Sequence, residues 1–170
     1  MRRVLGIDPG IKGGLSVIDE HFNFIEAISM PIRIEDGKKR VDPHGVHEFI
    51  SRMNPDLTVI EKVGAMRKPS KNGKKGRPQG TVSMFTFGDS FGLVRSLAET
   101  LSSNTIYVRP QKWRGLQSLT GLSKEQIAEI AFEVFRAEQI YSKPRAGKRA
   151  VRDGISDSLM IAKCGVRFLE

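Results

Sequence analysis

Residues 2–30 read RRVLGIDPGIKGGLSVIDEHFNFIEAISM, and this stretch decides the fold. An apolar run over residues 2–8 stops at a Pro-Gly pair, which favours a turn. Two further runs, rich in β-branched and aromatic residues, follow at 13–18 and 22–30. Three strands joined by such short links predict an antiparallel meander.

Helical and strand patterns alternate along the rest of the chain. Apolar residues recur at helical spacing in four segments and form short continuous runs in two others. The predicted helices are 43–53, 83–101, one that begins after a capping box at Ser123 and Gln126, and one over about 154–169; the predicted strands are 57–60 and 105–108. Residues 35–40, 64–80 and 142–150 favour polar loops. This order predicts one α/β domain over residues 1–170, with a mixed sheet flanked by helices.

The composition is that of a basic globular protein. The chain has 28 Lys and Arg residues against 19 Asp and Glu residues, a net charge of +9. Such a charge favours a polyanionic partner, with nucleic acid the first candidate, over charges that only maintain solubility. The single cysteine, Cys164, excludes an internal disulfide and a cysteine-based zinc cluster. Because no apolar run reaches the ~20 residues of a membrane span, we expect no membrane partner and a cytoplasmic location.

Much of the positive charge falls in two short segments. Seven basic residues and no acid lie between Lys62 and Gln79, and a second basic group lies at 143–152. Clustered lysines and arginines neutralise phosphates and release counterions, so we expect both segments to bind DNA. The predicted DNA-binding residues are Lys62, Arg67, Lys68, Lys71, Lys74, Lys75, Arg77, Lys143, Arg145, Lys148 and Arg149, together with Lys124.

Four acidic residues occupy places where carboxylates are usually avoided. Asp8 and Glu61 end apolar strands, and Asp153 and Asp157 lie four residues apart at the start of an apolar helix. Strand ends and helix starts gather at one rim of a sheet, where sites usually form. Hard carboxylate oxygens suit Mg²⁺ and Mn²⁺. Two such ions about 4 Å apart activate water and stabilise the leaving oxygen in phosphodiester hydrolysis.

Each acid also has a structural interpretation of its own. Asp8 fits a turn residue that bonds the following backbone, and Asp153 and Asp157 fit charges that favour a helix N-terminus. Glu61 fits an ion pair with Lys62 or the nearby loop. The joint placement of all four acids at element ends, beside two basic segments, favours the metal-site interpretation.

Five segments of the chain resemble a known nuclease family. They are GIDPGIKGG at 6–14, VIEKV at 59–63, SMFTFGDSFG at 83–92, VRPQKWR at 108–114 and RDGISDSLMIA at 152–162. In this order they resemble the RuvC-type Holliday junction resolvases, particularly their bacteriophage relatives. The GIDPG turn alone also resembles actin-like ATPases and sugar kinases, but their fold needs two such domains and this chain holds one. We therefore expect no nucleotide cofactor.

The resemblance implies a ribonuclease H-like fold, a homodimer, and paired nicks across a four-way DNA junction with Mg²⁺ or Mn²⁺. Carried over by motif, Asp8, Glu61 and Asp157 match the metal-binding acids of the family. Bacterial members carry an acid or a histidine three residues before the last aspartate, where this chain has Gly154. Asp153 lies four residues before it, as in the phage-like branch, and we assign it as the fourth ligand.

After Glu61 the sequence departs from the bacterial members. They carry a short segment with an aromatic residue that stacks at the junction centre, whereas here the long basic loop follows. Such a loop predicts recognition by shape and charge, weak sequence preference, and activity on three-way junctions or flaps too. Two alternatives stay open: a debranching or flap nuclease without paired resolution, and a junction-binding protein that does not cut.

Four further features have competing interpretations. Lys124 fits either a group that holds the scissile phosphate or a solvated lysine of the first helical turn. Trp113 fits either stacking on a base or anchoring a short helix in the core. The stretch 85–87, with two phenylalanines, fits a dimer interface, a wedge in the junction or core burial. Gly88 and Gly92 permit close approach of another element, either a second copy or the chain's own sheet.

Overall fold

The computed structural model describes residues 1–62, 80–144 and 149–169. The strands in this part of the chain are β1 Arg3–Asp8, β2 Gly14–Asp19, β3 Phe24–Ser29, β4 Ile32–Glu35, β5 Lys38–Val41, β6 Leu57–Glu61 and β7 Thr105–Val108. Its α-helices are α1 Pro43–Met53, α2 Thr81–Leu101, α3 Pro110–Gly115, α4 Lys124–Phe135 and α5 Asp153–Gly165, and short 3₁₀ turns span Glu138–Ile140 and Val166–Phe168. The main sheet has the strand order β3-β2-β1-β6-β7.

β1 lies at the centre of this sheet, between antiparallel β2 and parallel β6. Ile7 pairs with Ile60 across the parallel pair, so the carboxyl ends of β1 and β6 lie at the same edge. Those ends carry Asp8 and Glu61. β7 extends the parallel part and places Val108 opposite Glu61. The structure confirms the predicted α/β class, with an antiparallel meander joined to parallel strands and flanked by helices.

Helices cover both faces of the sheet. On one face α1 and α2 bury Leu5 and Phe49, and on the other face α4 and α5 bury Val4 and Leu159. Successive side chains of a strand point to opposite faces, so β1 contributes to both layers of the core. Burying a side chain of this size contributes roughly 1.5–3 kcal/mol to stability.

Helix α5 packs against the central strands more closely than side chains would permit. A Cβ atom on Gly6 of β1 would lie 2.0 Å from the carbonyl oxygen of Ser158. A Cβ atom on Gly154 would lie 2.3 Å from the carbonyl oxygen of Lys12, in the turn that follows β1. Glycine alone avoids both overlaps. The first turn of α5 therefore rests on the end of β1.

Several predicted boundaries need correction. Residues 35–40, predicted as a polar loop, belong to a hairpin of β4 and β5 whose turn has positive φ at Asp36 and Gly37. Each strand has only four residues, and three of the four in β5 are basic, so residues 35–40 lack the β-branched and aromatic residues that indicate a strand. Helix α2 begins at Thr81 and not at 83, and α5 runs from Asp153 to Gly165 before a 3₁₀ turn and not from 154 to 169.

Other features agree with the sequence or cannot be compared with it. The capping box at Ser123 and Gln126 is confirmed at the start of α4. Within the described ranges no helix is long and apolar enough to span a membrane. The loop predicted at 64–80 lies outside the described residues except for Gly80, and so do eight predicted DNA-binding residues: Arg67, Lys68, Lys71, Lys74, Lys75, Arg77, Arg145 and Lys148.

Candidate active site

The four predicted acids meet at one rim of the sheet. Asp8 ends β1, Glu61 ends the adjacent parallel strand β6, and Asp153 and Asp157 lie one turn apart at the start of α5. The charges of Glu61, Asp157 and Asp153 all act on Asp8, which places the carboxylates within electrostatic reach of one another. Three separated segments of the chain therefore supply one acidic cluster.

Burial and mutual repulsion disfavour the charged forms of these acids. Burial raises the pKa of Asp8 from 3.8 to about 7, with further contributions from the charges of Glu61 and Asp157. Burial also raises the pKa of Asp157 to about 6, against the opposing charge of Arg114. The pKa of Glu61 is raised by burial as well. Desolvated like charges of this kind call for a compensating cation.

Each acid has a different partner. The backbone N–H of Gly10 lies 3.5 Å from Asp8 Oδ1, a distance typical of a weak hydrogen bond. The indole Nε1 of Trp113 donates to Oε2 of Glu61 at 2.7 Å. The remaining two acids face cations, Asp153 paired with the Nζ of Lys124 and Asp157 lying 3.7 Å from the Nη2 of Arg114.

Lys124 faces the acidic cluster. Its hydrogen bond to Asp153 raises its pKa, and the charges of Asp157 and Asp8 act in the same direction. The ammonium group is also largely open to solvent, with 65% of the side chain exposed. Lys124 is therefore solvated and in contact with the acidic cluster at the same time, and its role in holding a phosphate stays a prediction.

The donor chemistry of the cluster fits a hard divalent cation. Carboxylate oxygens are the ligands that Mg²⁺ and Mn²⁺ prefer, and the raised pKa values mark charges that such an ion would stabilise. In the part of the chain that the structure describes, however, no group of three or more His, Cys, Asp or Glu side chains is arranged to hold an ion. The carboxylate of Asp153 would have to exchange Lys124 for the metal.

Three predicted DNA-binding residues that the structure describes, Lys62, Lys143 and Arg149, differ in how freely they could reach DNA. Lys62 is exposed directly after β6, and its backbone N–H donates to Val108 O at 2.7 Å. Lys143, the first residue of the second basic group, is also exposed. Arg149 is less available for DNA, because its guanidinium pairs with Glu138 at 2.9 Å.

The sequence did not predict that Trp113 contacts Glu61 or that Arg114 lies beside Asp157. Trp113 is 0% exposed, so its interpretation as a base-stacking residue is wrong and that of a core anchor is confirmed. Its bond to Glu61 was not expected. The structure explains the bond, because α3 begins two residues after Val108, the register partner of Glu61.

The first half of α2 presents an open surface. Phe85 is 72% exposed, so its interpretation as a core residue is wrong. Phe87 is partly buried and stacks with Phe91, their ring centroids 6.4 Å apart. Nothing lies within 4 Å of a Cβ atom built on Gly88 or Gly92, so these glycines do not pack against the chain's own sheet.

Comparison with known proteins identifies the fold. No protein-family model matches the chain, and no curated protein matches it in sequence. The chain is similar in structure to Thermus thermophilus RuvC in complex with a Holliday junction substrate, with 20% identity and a TM-score of 0.58 over 99% of this chain and 94% of that one.

Two further solved structures are similar. A second Thermus thermophilus RuvC structure has 18% identity and a TM-score of 0.53 over 98% of this chain and 96% of that chain. The fowlpox virus Holliday junction resolvase has 14% identity and a TM-score of 0.44 over 98% of this chain and 99% of that chain. On the two RuvC likenesses, the chain has the RuvC form of the ribonuclease H-like fold.

Proposed function

We propose that the chain is a structure-selective DNA endonuclease that resolves four-way junctions with Mg²⁺ or Mn²⁺. The observation that carries the proposal is the meeting of Asp8, Glu61, Asp153 and Asp157 at one rim, with the pKa of Asp8 raised to about 7. Solvent-facing structural acids keep ordinary pKa values, whereas perturbed acids gathered at one place are typical of functional sites. The RuvC fold supports the same conclusion, because the solved RuvC complex contains a Holliday junction substrate.

The chain's own groups suit phosphodiester hydrolysis. In the proposed site the four carboxylates would hold the metal, because such ions prefer carboxylate oxygens, and two bound ions would supply an activated water and a stabilised leaving oxygen. Lys124 and Arg114 lie against Asp153 and Asp157 and bring positive charge to the rim where a scissile phosphate would bind. An ammonium or guanidinium at that position attracts the phosphate and stabilises its developing charge.

We further propose that DNA arms bind the basic residues and that the enzyme works as a homodimer. Lys62 and Lys143 are exposed, and the basic residues at 67–77 and 145–149 extend the same charge along the sequence. The open surface around Phe85 and Gly88 suits a second copy. A symmetric dimer would present two acidic sites to opposed strands of a junction, and we propose a cytoplasmic location for it.

The first experiment compares the protein with Asp8→Asn on labelled DNA. Substrates are a four-way junction, a three-way junction, a flap and a linear duplex, each with Mg²⁺ or Mn²⁺. We expect symmetric nicks in the four-way junction, no cut in the duplex, and binding without cutting by the variant. Unpaired nicks confined to flaps or three-way junctions would favour the debranching nuclease instead.

One observation favours a second candidate, a junction-binding protein that does not cut. Within the described residues the acids are not arranged to hold an ion, and Lys124 lies on Asp153. That candidate predicts a metal-independent gel shift of the junction and no product with either cation. Junctions with different core sequences complete the experiment, because similar rates on all of them support recognition by shape and a single dominant site contradicts it.

A further inference from the structure

Trp113 belongs to the hydrophobic core and also contacts the proposed site. Its side chain is fully buried, yet its Nε1 reaches Oε2 of Glu61 at 2.7 Å. The glutamate ends β6, and α3 follows β7, the next strand of the sheet. The only tryptophan of the chain is thus hydrogen-bonded to one of the four acids.

Both the backbone and the ring of Trp113 have contacts that hold the residue in place. The Nε2 of Gln117 donates to the backbone oxygen of Trp113 at 3.0 Å and to that of Met160 at 2.8 Å, which ties α3 to α5. The guanidinium of Arg114 lies 5.0 Å from the centroid of the indole ring. A donor fixed in this way selects one orientation of the carboxylate that it contacts, because rotation of Glu61 would leave a buried N–H without a partner.

The chemistry of the donor distinguishes Glu61 from the helix-borne acids. Asp153 faces an ammonium and Asp157 a guanidinium, each of which competes with a metal for carboxylate charge. The indole N–H is neutral and occupies one oxygen, Oε2. Among the described residues no hydrogen bond to Oε1 is found, and the guanidinium of Arg114 acts on this carboxylate through its charge without a hydrogen bond to it.

We propose that Trp113 is a positioning residue: its indole N–H fixes Oε2 of Glu61 so that Oε1 is oriented to bind the divalent cation. The proposal rests on the proposed function only in placing a cation at Glu61. Groups that orient a metal ligand through a hydrogen bond typically contribute about 10–100-fold to metal affinity.

The test is Mn²⁺ binding by Trp113→Phe, with free Mn²⁺ counted by electron paramagnetic resonance and no DNA present. Phenylalanine retains most of the packing and removes the N–H. We expect the dissociation constant for Mn²⁺ to rise about 10–100-fold. Cleavage of the junction should fall at low Mn²⁺ and recover at saturating Mn²⁺, because the proposed loss is in ligand orientation.

The matched control is Tyr107→Phe. The hydroxyl of Tyr107 donates to Glu99, so this variant also removes one donor from a glutamate, but on the other face of the sheet from Trp113. Its Mn²⁺ affinity should equal that of the wild type. A double-mutant cycle with Glu61→Gln sharpens the test, because a residue that acts through Glu61 adds little once that carboxylate is gone. Additive losses would overturn the proposal.

The unsubstituted tryptophan gives a second measurement that does not depend on how Trp113→Phe folds. As the single tryptophan, it is the only indole emitter, and Mn²⁺ bound at Glu61 should quench it. We expect quenching in the wild type and its loss in Glu61→Gln. Unchanged emission at saturating Mn²⁺, or wild-type affinity in a folded Trp113→Phe, contradicts the positioning role.

These outcomes separate the two proposals. If the wild type cuts junctions while Trp113→Phe binds Mn²⁺ normally, the nuclease stands and the positioning role fails. If Mn²⁺ affinity falls in the variant but neither protein cuts any branched DNA, the positioning role stands and the nuclease fails.

Discussion

The strand-borne and the helix-borne acids of the site are held by different forces. Asp8 and Glu61 receive hydrogen bonds from neutral N–H groups, and in the described part of the chain neither forms an ion pair. Asp153 and Asp157 instead face Lys124 and Arg114. The register of β1 and β6 therefore fixes the positions of Asp8 and Glu61, whereas the charges of Asp153 and Asp157 are balanced by cationic side chains that a metal ion could replace.

Cleavage should depend more on the strand-borne acids than on Asp153. We expect Asp8→Asn and Glu61→Gln to lower the single-turnover rate on a four-way junction by at least roughly 10³-fold, because each removes a ligand with no local substitute. Asp153→Asn should cost less, on the order of 10²-fold, since that carboxylate already shares its charge with Lys124. Gel shifts should show that each variant still binds the junction. Equal losses of rate in all three variants would contradict the predicted difference between the strand-borne acids and Asp153.

Stability should respond to pH through the buried acids. Folding raises the pKa of Asp8 from 3.8 to about 7, so protonation favours the folded state. The stabilisation is fully present below pH ~4 and is lost as the pH rises through about 7. With EDTA present, Asp8→Asn should therefore exceed the wild type in free energy of unfolding at pH 8, by up to about 4 kcal/mol, and lose that advantage near pH 4.

Urea unfolding at a series of pH values provides this comparison. Added Mg²⁺ should narrow the gap at pH 8, because a cation at the site replaces the proton as the compensating charge. A difference between the two proteins that is the same at every pH would mean that Asp8 is not the group responsible.

Lys124→Gln tests what the cation beside the helix-borne Asp153 contributes to cleavage and to metal binding. Removing the ammonium should slow cleavage about 10–100-fold through weaker stabilisation of the phosphate. Mn²⁺ affinity should rise, because Asp153 no longer pairs with a competing cation. Lys39→Gln, at an exposed position of the β4–β5 hairpin, is the matched control and should change neither quantity. A fall in Mn²⁺ affinity would show that Lys124 supports metal binding and does not oppose it.

Gly154→Ala should move the acids of α5 away from the acids at the ends of β1 and β6. The added Cβ would meet the carbonyl oxygen of Lys12 at 2.3 Å and push α5 away from the end of β1. We expect a loss of roughly 1–3 kcal/mol in the free energy of unfolding, by thermal or urea denaturation, with weaker Mn²⁺ binding. Gly115→Ala, where nothing lies within 4 Å, is the control and should be nearly neutral. Similar stabilities of the two variants would contradict the close approach of α5.

The sheet and the positions of the acids could be predicted because local pattern determines them. Short continuous apolar runs give β1 and β6, and a parallel pair must place its two carboxyl ends, with Asp8 and Glu61, at one edge. The helical spacing of Asp153 and Asp157 likewise places both on one face of α5. These inferences need no knowledge of contacts between distant residues.

The partners of the acids could not be predicted, because they depend on tertiary contacts. Trp113 was expected to anchor a helix, and its hydrogen bond to Glu61 follows only from the placement of α3 beside β6.

The structure also gives a reason why this chain has Asp153 and Gly154, in that order. A side chain at 154 would collide with the turn after β1, so an acid cannot stand at that position.

Because α5 packs closely against β1, the acidic cluster can form only after the last α-helix of the described chain has folded. Asp8 belongs to the first strand and Asp157 to the last α-helix of the described chain, so synthesis supplies one long before the other. The nascent polypeptide therefore holds half of the acidic cluster until α5 emerges and docks. A chain that ends before α5 therefore lacks Asp153 and Asp157, and the proposed metal site cannot form in it.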